Sequence, residues 1–240
     1  MRFTSEQRLD DGVLEREFTL GEIPGVLWTP ESAPAALILM GHNGGLHKRE
    51  SRLVARARHN AAEYGFAVAA IDAPGHGGRP RSAVDEQARA DLRRAMQAGD
   101  PVDEIFESFI VPLVEKAVPE WQTTLDALLE LPEIGGPVGY SGMTAIGIRL
   151  AVVEPRIAAV GFFAGGFVPG AVREAAPQVS IPLLFLLQWD DEGNDRQQAL
   201  DLFDAFGTTE KTLHANLGGP AGTPWFEVDD GHRFFARHLK

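Results

Sequence analysis

Three observations predict an α/β domain with a mostly parallel central sheet flanked by helices. Continuous apolar runs of strand length recur, at Ala35–Met40, Phe66–Ile71 and Ile181–Leu187. Such runs suit strands buried on both faces. Between them lie segments with helical spacing, such as Ser51–Tyr64 with Leu53, Val54, Ala57 and Ala61 in register. The chain also alternates the two kinds of element, which calls for parallel strands joined by helical crossovers.

The elements follow in order. Glu15–Trp28 alternates and carries Gly21, Pro24 and Gly25, so it reads as an antiparallel hairpin. The first buried strand, Ala35–Met40, ends in the glycine-rich loop Gly41-His42-Asn43-Gly44-Gly45. The helix Ser51–Tyr64 stops at Gly65, and the strand Phe66–Ile71 runs into the turn cluster Asp72–Gly78. Arg81–Pro119 is helix-prone and charged through Ala98. After Gly99-Asp100-Pro101 it becomes apolar, with Ile105, Phe106, Phe109 and Ile110. This stretch is the one candidate insertion in a single domain spanning residues 1–240, and its position suits a small helical lid.

Trp121–Leu131 is a further helix. Pro137–Gly139 is a short strand, and Gly139-Tyr140-Ser141-Gly142-Met143 reads as a sharp turn into the helix Thr144–Val153. Strands follow at Ile157–Ala164, Ile181–Leu187 and Lys211–Leu217, with helices at Arg196–Phe206 and Trp225–Leu239.

Composition narrows the function. With no cysteine, disulfides, thiolate metal sites and cysteine nucleophiles are excluded. A formal net charge of −12 argues against a nucleic-acid backbone or an anionic membrane as partner. Met1–Asp10 lacks the apolar core of a signal peptide, and no run approaches the length of a membrane span, so a cytoplasmic protein acting on a small molecule is expected. Gly75 and Gly77 form only a fragment of a nucleotide-binding pattern. No His, Asp and Glu group has the local spacing of a metal site, and Asp190-Asp191-Glu192 reads as a solvated turn. Neither cofactor nor metal is expected.

In a parallel sheet, ligands bind outside the carboxyl ends of the strands. The Gly41–Gly45 loop, the Asp72–Gly78 turn, the Ser141 turn and the Asp190–Glu192 cluster all fall there. With His47-Lys48-Arg49, Gln188-Trp189 and Phe234-Phe235-Ala236-Arg237-His238-Leu239, their order resembles the α/β-hydrolase superfamily, in particular its dienelactone-hydrolase-like branch. The resemblance runs from the first hairpin to the last helix. It implies an α/β-hydrolase fold with Ser141 as nucleophile on a strained elbow. It further implies an oxyanion hole from the N–H of Gly142 and of Gly44 or Asn43, and Asp191 as the acid that orients an imidazole. His42 would line the oxyanion loop and contact substrate.

Three departures accompany it. The last glycine of G-x-S-x-G is Met143, and Gly142-Met143-Thr144 can align with either the element before the branch's serine or its Ser-x-Gly, which makes Thr144 a second candidate hydroxyl after Ser141. Where the branch has an apolar residue and proline after the acid, this chain has Asn194 and Asp195. Where the branch has its histidine, after Gly218-Gly219, this chain has Pro220, which cannot exchange a proton. His214, His232, His238 and His76 are the alternative bases. Two chemistries follow: ester, lactone or thioester hydrolysis through Ser141 with a relocated histidine, or cofactor-independent carbonyl chemistry on an oxyanion hole with a degenerate triad. The aromatic part of the insertion suits a hydrophobic substrate.

Overall fold

A computed structural model describes residues 1–163, 167–219 and 223–240. One nine-stranded sheet runs through the molecule in the order β1-β2-β3-β5-β4-β6-β7-β8-β9. The strands are β1 (Arg2–Arg8), β2 (Leu14–Leu20), β3 (Ile23–Thr29), β4 (Ala35–Met40), β5 (Ala67–Ile71), β6 (Ile134–Met143), β7 (Ile157–Phe163), β8 (Leu183–Gln188) and β9 (Lys211–Asn216). Neighbours among β1, β2, β3 and β5 pair antiparallel, and those along β5, β4, β6, β7, β8 and β9 pair parallel. The helices are α1 (Ser51–Tyr64), α2 (Ala83–Ala98), α3 (Asp103–Leu129), α4 (Thr144–Val153), α5 (Gly170–Arg173), α6 (Arg196–Ala205) and α7 (Trp225–Leu239). The mostly parallel sheet flanked by helices is as expected.

The alternation of side chains along each strand divides the core into two layers. Leu37 and Leu39 of β4 join Tyr140, Phe162, Phe185 and the buried side of α3 and α4. Ile38 and Met40 face the other way, with Trp28, Val68, Leu53 of α1 and Phe235 and Leu239 of α7. The sequence pattern of β4, apolar at every position, is the consequence of covering both faces.

The polar segment Met1–Asp10, to which the sequence pattern assigned no element, contributes an exposed edge strand, β1. Two expectations are corrected. The apolar part of the insertion and the helix Trp121–Leu131 are one helix, α3, of 27 residues that continues through Pro112 and Pro119. The turn after β6 comes later than the sequence suggests. Ser141, Gly142 and Met143 pair in register with Gly161, Phe162 and Phe163 of β7, so the strand runs to Met143 and the helix opens at Thr144. Met143 has φ −55° and ψ 121°, and no described non-glycine residue has a positive φ. Ser141 is therefore a strand residue, not the residue at a strained elbow. Cross-strand pairing on both sides of β6 outweighed the local turn signal of its glycines.

The segment 81–102 forms α2 and its connection to α3. The helix is framed by a Ser82–Asp85 capping box and a left-handed Gly99. Only Ala95 of α2 is buried, whereas α3 sinks into the core from Ile110 onward. Among the described residues, no helix is long and apolar enough to cross a membrane.

Two glycines let α7 lie close to the sheet. A Cβ on Gly139 would fall 2.7 Å from Phe235 Cε1 and 2.9 Å from Leu239 Cδ1, and one on Gly161 would fall 3.3 Å from Phe235 Cζ. Gly139→Ala is expected to destabilise the protein by about 2 kcal/mol through overpacking. For a chain of this size that is a fall in Tm of roughly 4–8 °C. Gly78→Ala, in open space, is the control and should shift stability by less than about 0.5 kcal/mol. Thermal and urea unfolding read both.

Candidate active site

The carboxyl ends of β4, β6, β7 and β8 open into a crevice of about 380 Å³ between the N-terminal parts of α1 and α7. Gly41, Asn43, Ser141, Gly142, Phe163 and Leu186 form its floor, and Arg52, Arg56, Trp225 and Val228 its walls. Ser141 projects from the same side of β6 as Gly139, toward α7, and also borders a smaller cavity lined by Arg56, Asn60, Glu227 and His232. Thr144 lines a separate cavity of about 190 Å³ with Val102, Phe106, Phe167 and Asn194. Its hydroxyl donates to the Phe163 carbonyl at 2.8 Å and it is buried. The two candidate hydroxyls thus serve different cavities.

The glycine loop is held by close packing. A Cβ on Gly142 would fall 2.7 Å from Gly41 Cα, and Gly41 N–H donates to the Ser141 carbonyl at 2.8 Å. Gly142 therefore serves first as a contact point between β6 and the loop. Asn43 reaches the crevice, while a Cβ on Gly44 would lie 4.0 Å from Met143 Cε. Because the helix opens at Thr144, the free N–H groups of a helix first turn belong to the residues from Thr144 onward.

His42 and His76 are committed to the backbone. Nδ1 of His42 donates to the Asn43 carbonyl at 2.9 Å and Nε2 accepts from Ala73 N–H at 3.0 Å. His42 is buried, and burial pushes its pKa down. With both nitrogens engaged it ties two loops together and is not placed to take a proton, which corrects the expected catalytic role. His76 Nδ1 donates to the Pro74 carbonyl at 2.9 Å, and Nε2 faces Arg89 Nη2 of α2 at 3.3 Å. Burial, with His42, Arg89 and Arg81 nearby, pushes its pKa down to about 4.

His214 is also removed from Ser141. It pairs with the buried Glu227 at 2.7 Å, and Glu227 accepts from Asn216 as well. This resembles an acid–imidazole couple, but β9 lies three strand spacings from β6, about 14 Å. Of the expected alternative bases, His232 alone borders a cavity shared with Ser141. It is buried, its Nδ1 has no hydrogen-bond partner among the described residues, and burial beside His59 pushes its pKa down to about 3. No hydrogen bond joins the Ser141 hydroxyl to a described imidazole.

Asp191 spends a carboxylate oxygen on the Gly193 N–H at 2.9 Å and touches no described histidine. Asp190 instead accepts from Gly218 and Gly219 N–H at 2.8–3.0 Å, and these donors hold its pKa down. Gln188 Nε2 donates to the Gly219 carbonyl at 2.8 Å. The acid turn therefore clamps the loop after β9. Pro220, where the resemblance puts the base, lies outside the described residues. Sequence reading missed Arg56, Glu227 and Trp225, because helical spacing gives no signal of which helix residues border a strand end.

No protein-family model and no curated protein matches the sequence. Among solved structures, a cold-adapted esterase from an Arctic intertidal metagenomic library is similar over the whole of both chains. Its polyethylene-glycol-bound form has 29% identity and a TM-score of 0.78, and its native form 26% and 0.72. Est1E from Butyrivibrio proteoclasticus, bound to ferulic acid, matches 98% of this chain and 99% of its own with a TM-score of 0.67 at 13% identity, a likeness of fold. The fold is the α/β-hydrolase fold, and esterases are among its structural neighbours.

The buried neutral histidines make stability depend on pH. His76 titrates near 6.5 when unfolded and near 4 when folded, so the unfolded state binds more protons as pH falls through this window. Its contribution is intact above about pH 6.5 and is lost progressively toward pH 4, with about 2 kcal/mol gone by pH 5. Urea unfolding at pH 7 and pH 5 should show a steeper loss in wild type than in His76→Gln by about this amount. Equal losses would contradict the assignment.

Proposed function

We propose that the protein hydrolyses esters of small hydrophobic or aromatic compounds bound in the crevice at the strand ends. The observation that carries this reading is the convergence of Ser141, the Gly41–Asn43 loop and the apolar side chains of Leu186, Trp225 and Val228 on one crevice. Esterases as the full-length neighbours support the same class of reaction.

In this reading the Ser141 oxygen attacks the ester carbonyl carbon, and its proton passes to a neutral imidazole, for which His232 is the candidate. The negative charge on the carbonyl oxygen is met by N–H groups of the Gly41–Gly45 loop. Collapse of the tetrahedral species expels the alcohol with that proton, and water then releases the acid by the same steps. His232 is neutral at working pH and can accept a proton. Its low basicity makes it a weak general base, so turnover is expected to be slow.

A second reading is cofactor-independent carbonyl chemistry that does not deprotonate Ser141. It is favoured by the unbonded state of the Ser141 hydroxyl among the described residues and by Pro220 at the family's histidine position.

The two readings separate in one experiment. Under the first, a fluorophosphonate labels Ser141, and Ser141→Ala lowers kcat/KM for short nitrophenyl esters by about 10³-fold or more. Mass spectrometry of the labelled peptide, which also contains Thr144, identifies the hydroxyl. Undiminished hydrolysis by Ser141→Ala, or a label on Thr144, would reject Ser141 as nucleophile.

A further inference from the structure

Beside the crevice, α1 and α7 bring together a group of ionisable side chains of which the hydrolytic reading uses only His232. A nitrogen of His59, a nitrogen of His232 and a carboxylate oxygen of Asp229 all lie within 4.8 Å of one another. His59 is on α1, while Asp229 and His232 stand three residues apart on α7, so both present ligands to one side of that helix. His59 Nε2 is 3.0 Å from Asp229 Oδ1. The His59 and His232 rings are 4.8 Å apart between centroids, with Tyr64 and Trp225 packed around them. His232 is 3% exposed and its Nδ1 has no hydrogen-bond partner among the described residues. Leaving a buried imidazole nitrogen without a partner is unfavourable, and a ligand would relieve it.

We propose that His59, Asp229 and His232 form a binding site for a divalent metal ion of the zinc class, fastening α1 to α7. Two imidazoles and one carboxylate suit zinc, cobalt or nickel rather than magnesium or calcium, which prefer oxygen ligands. Tetrahedral zinc holds nitrogen and oxygen at about 2.0–2.2 Å, which sets neighbouring ligand atoms roughly 3.4 Å apart. The His59–Asp229 pair is already within that separation, and rotation of the side chains brings in the rest. Coordination takes the place of the His59–Asp229 hydrogen bond, with the His59 Nε2 proton shifting to Nδ1 by tautomerisation through solvent, and engages one nitrogen of the His232 ring. Three protein ligands leave one position for water. The nearby His214–Glu227–Asp230 group is a poorer host, because Glu227 is spent on His214 and Asn216 and Asp230 is paired with Arg233. The site rests on geometry alone and competes with the hydrolytic reading for the His232 ring, since a coordinated nitrogen cannot also accept the Ser141 proton. Through His232 it adjoins the cavity bordered by Ser141.

The test is direct binding to the intact chain. Chelator-treated protein titrated with Co²⁺ should develop the visible bands of a four-coordinate ion, saturating at one equivalent. Zn²⁺ at 100-fold excess over its Kd should displace the colour and raise Tm by about 5–10 °C. His59→Ala and Asp229→Ala, both at partly exposed residues, should lose the bands and weaken binding more than about tenfold, whereas His214→Ala should retain them. Metal-edge anomalous diffraction from wild-type crystals should place the ion between α1 and α7, which keeps the test valid if a variant fails to fold. No stoichiometric binding, equal binding by His59→Ala and Asp229→Ala, or an ion located elsewhere would overturn the proposal.

Discussion

The crevice depends on one buried carboxylate. Asp72 follows β5 at 1% exposure and accepts from both the backbone N–H and the ammonium of Lys48, at 2.8 and 2.7 Å. A charge so deep is tolerable only when it is paired and hydrogen-bonded. That requirement draws the loop after β4 against the loop after β5. Gly77, with φ +58°, leaves no room for a Cβ, which would fall 2.3 Å from Asp72 Oδ2. Arg79 then donates to the Asp72 carbonyl and pairs with Glu120 of α3, so the same hub reaches the helix layer.

The two strand-end histidines are absorbed by this construction. His42 bridges Asn43 and Ala73, and His76 closes the next turn, with the two rings 5.1 Å apart. Burial pushes the pKa of both down, and at His42 it outweighs the opposing pull of the nearby Asp72 carboxylate. Their commitment decides which residues are left for chemistry. Ser141 looks to the opposite side, toward α1 and α7, where Arg56, Glu227 and His232 are the titratable residues of the shared cavity. Burial pushes the pKa of Arg56 and His232 down.

Glycine packing sets that orientation. Gly139 and Gly161 admit Phe235 onto the sheet, and Gly41 and Gly142 admit the loop onto β6. A strand packed this closely on both sides continues to Met143, and the hydroxyls of Ser141 and Thr144 are divided between two cavities. The sequence signal of small residues around Ser141 was real. Its cause is close approach of backbone and helix rather than a strained turn.

By itself the sequence determined the layered α/β architecture, because apolar runs at β4, β5 and β8 and helical spacing in α1, α4 and α7 are local properties of consecutive residues. It also located the loops that meet at the strand ends, since glycine and proline clusters mark them wherever the chain goes. The end of β6, the merging of two helical stretches into α3 and the antiparallel edge β1 were decided by the tertiary structure, through pairing and burial supplied by distant partners. The same holds for the imidazoles. Which histidine is a loop tie, which pairs with Glu227 and which stands beside Ser141 depends on the order of strands and on the packing of α1 against α7. Sequence separation carries no record of that distance: His59 and Asp229 lie 170 residues apart in the chain and 3.0 Å apart in space.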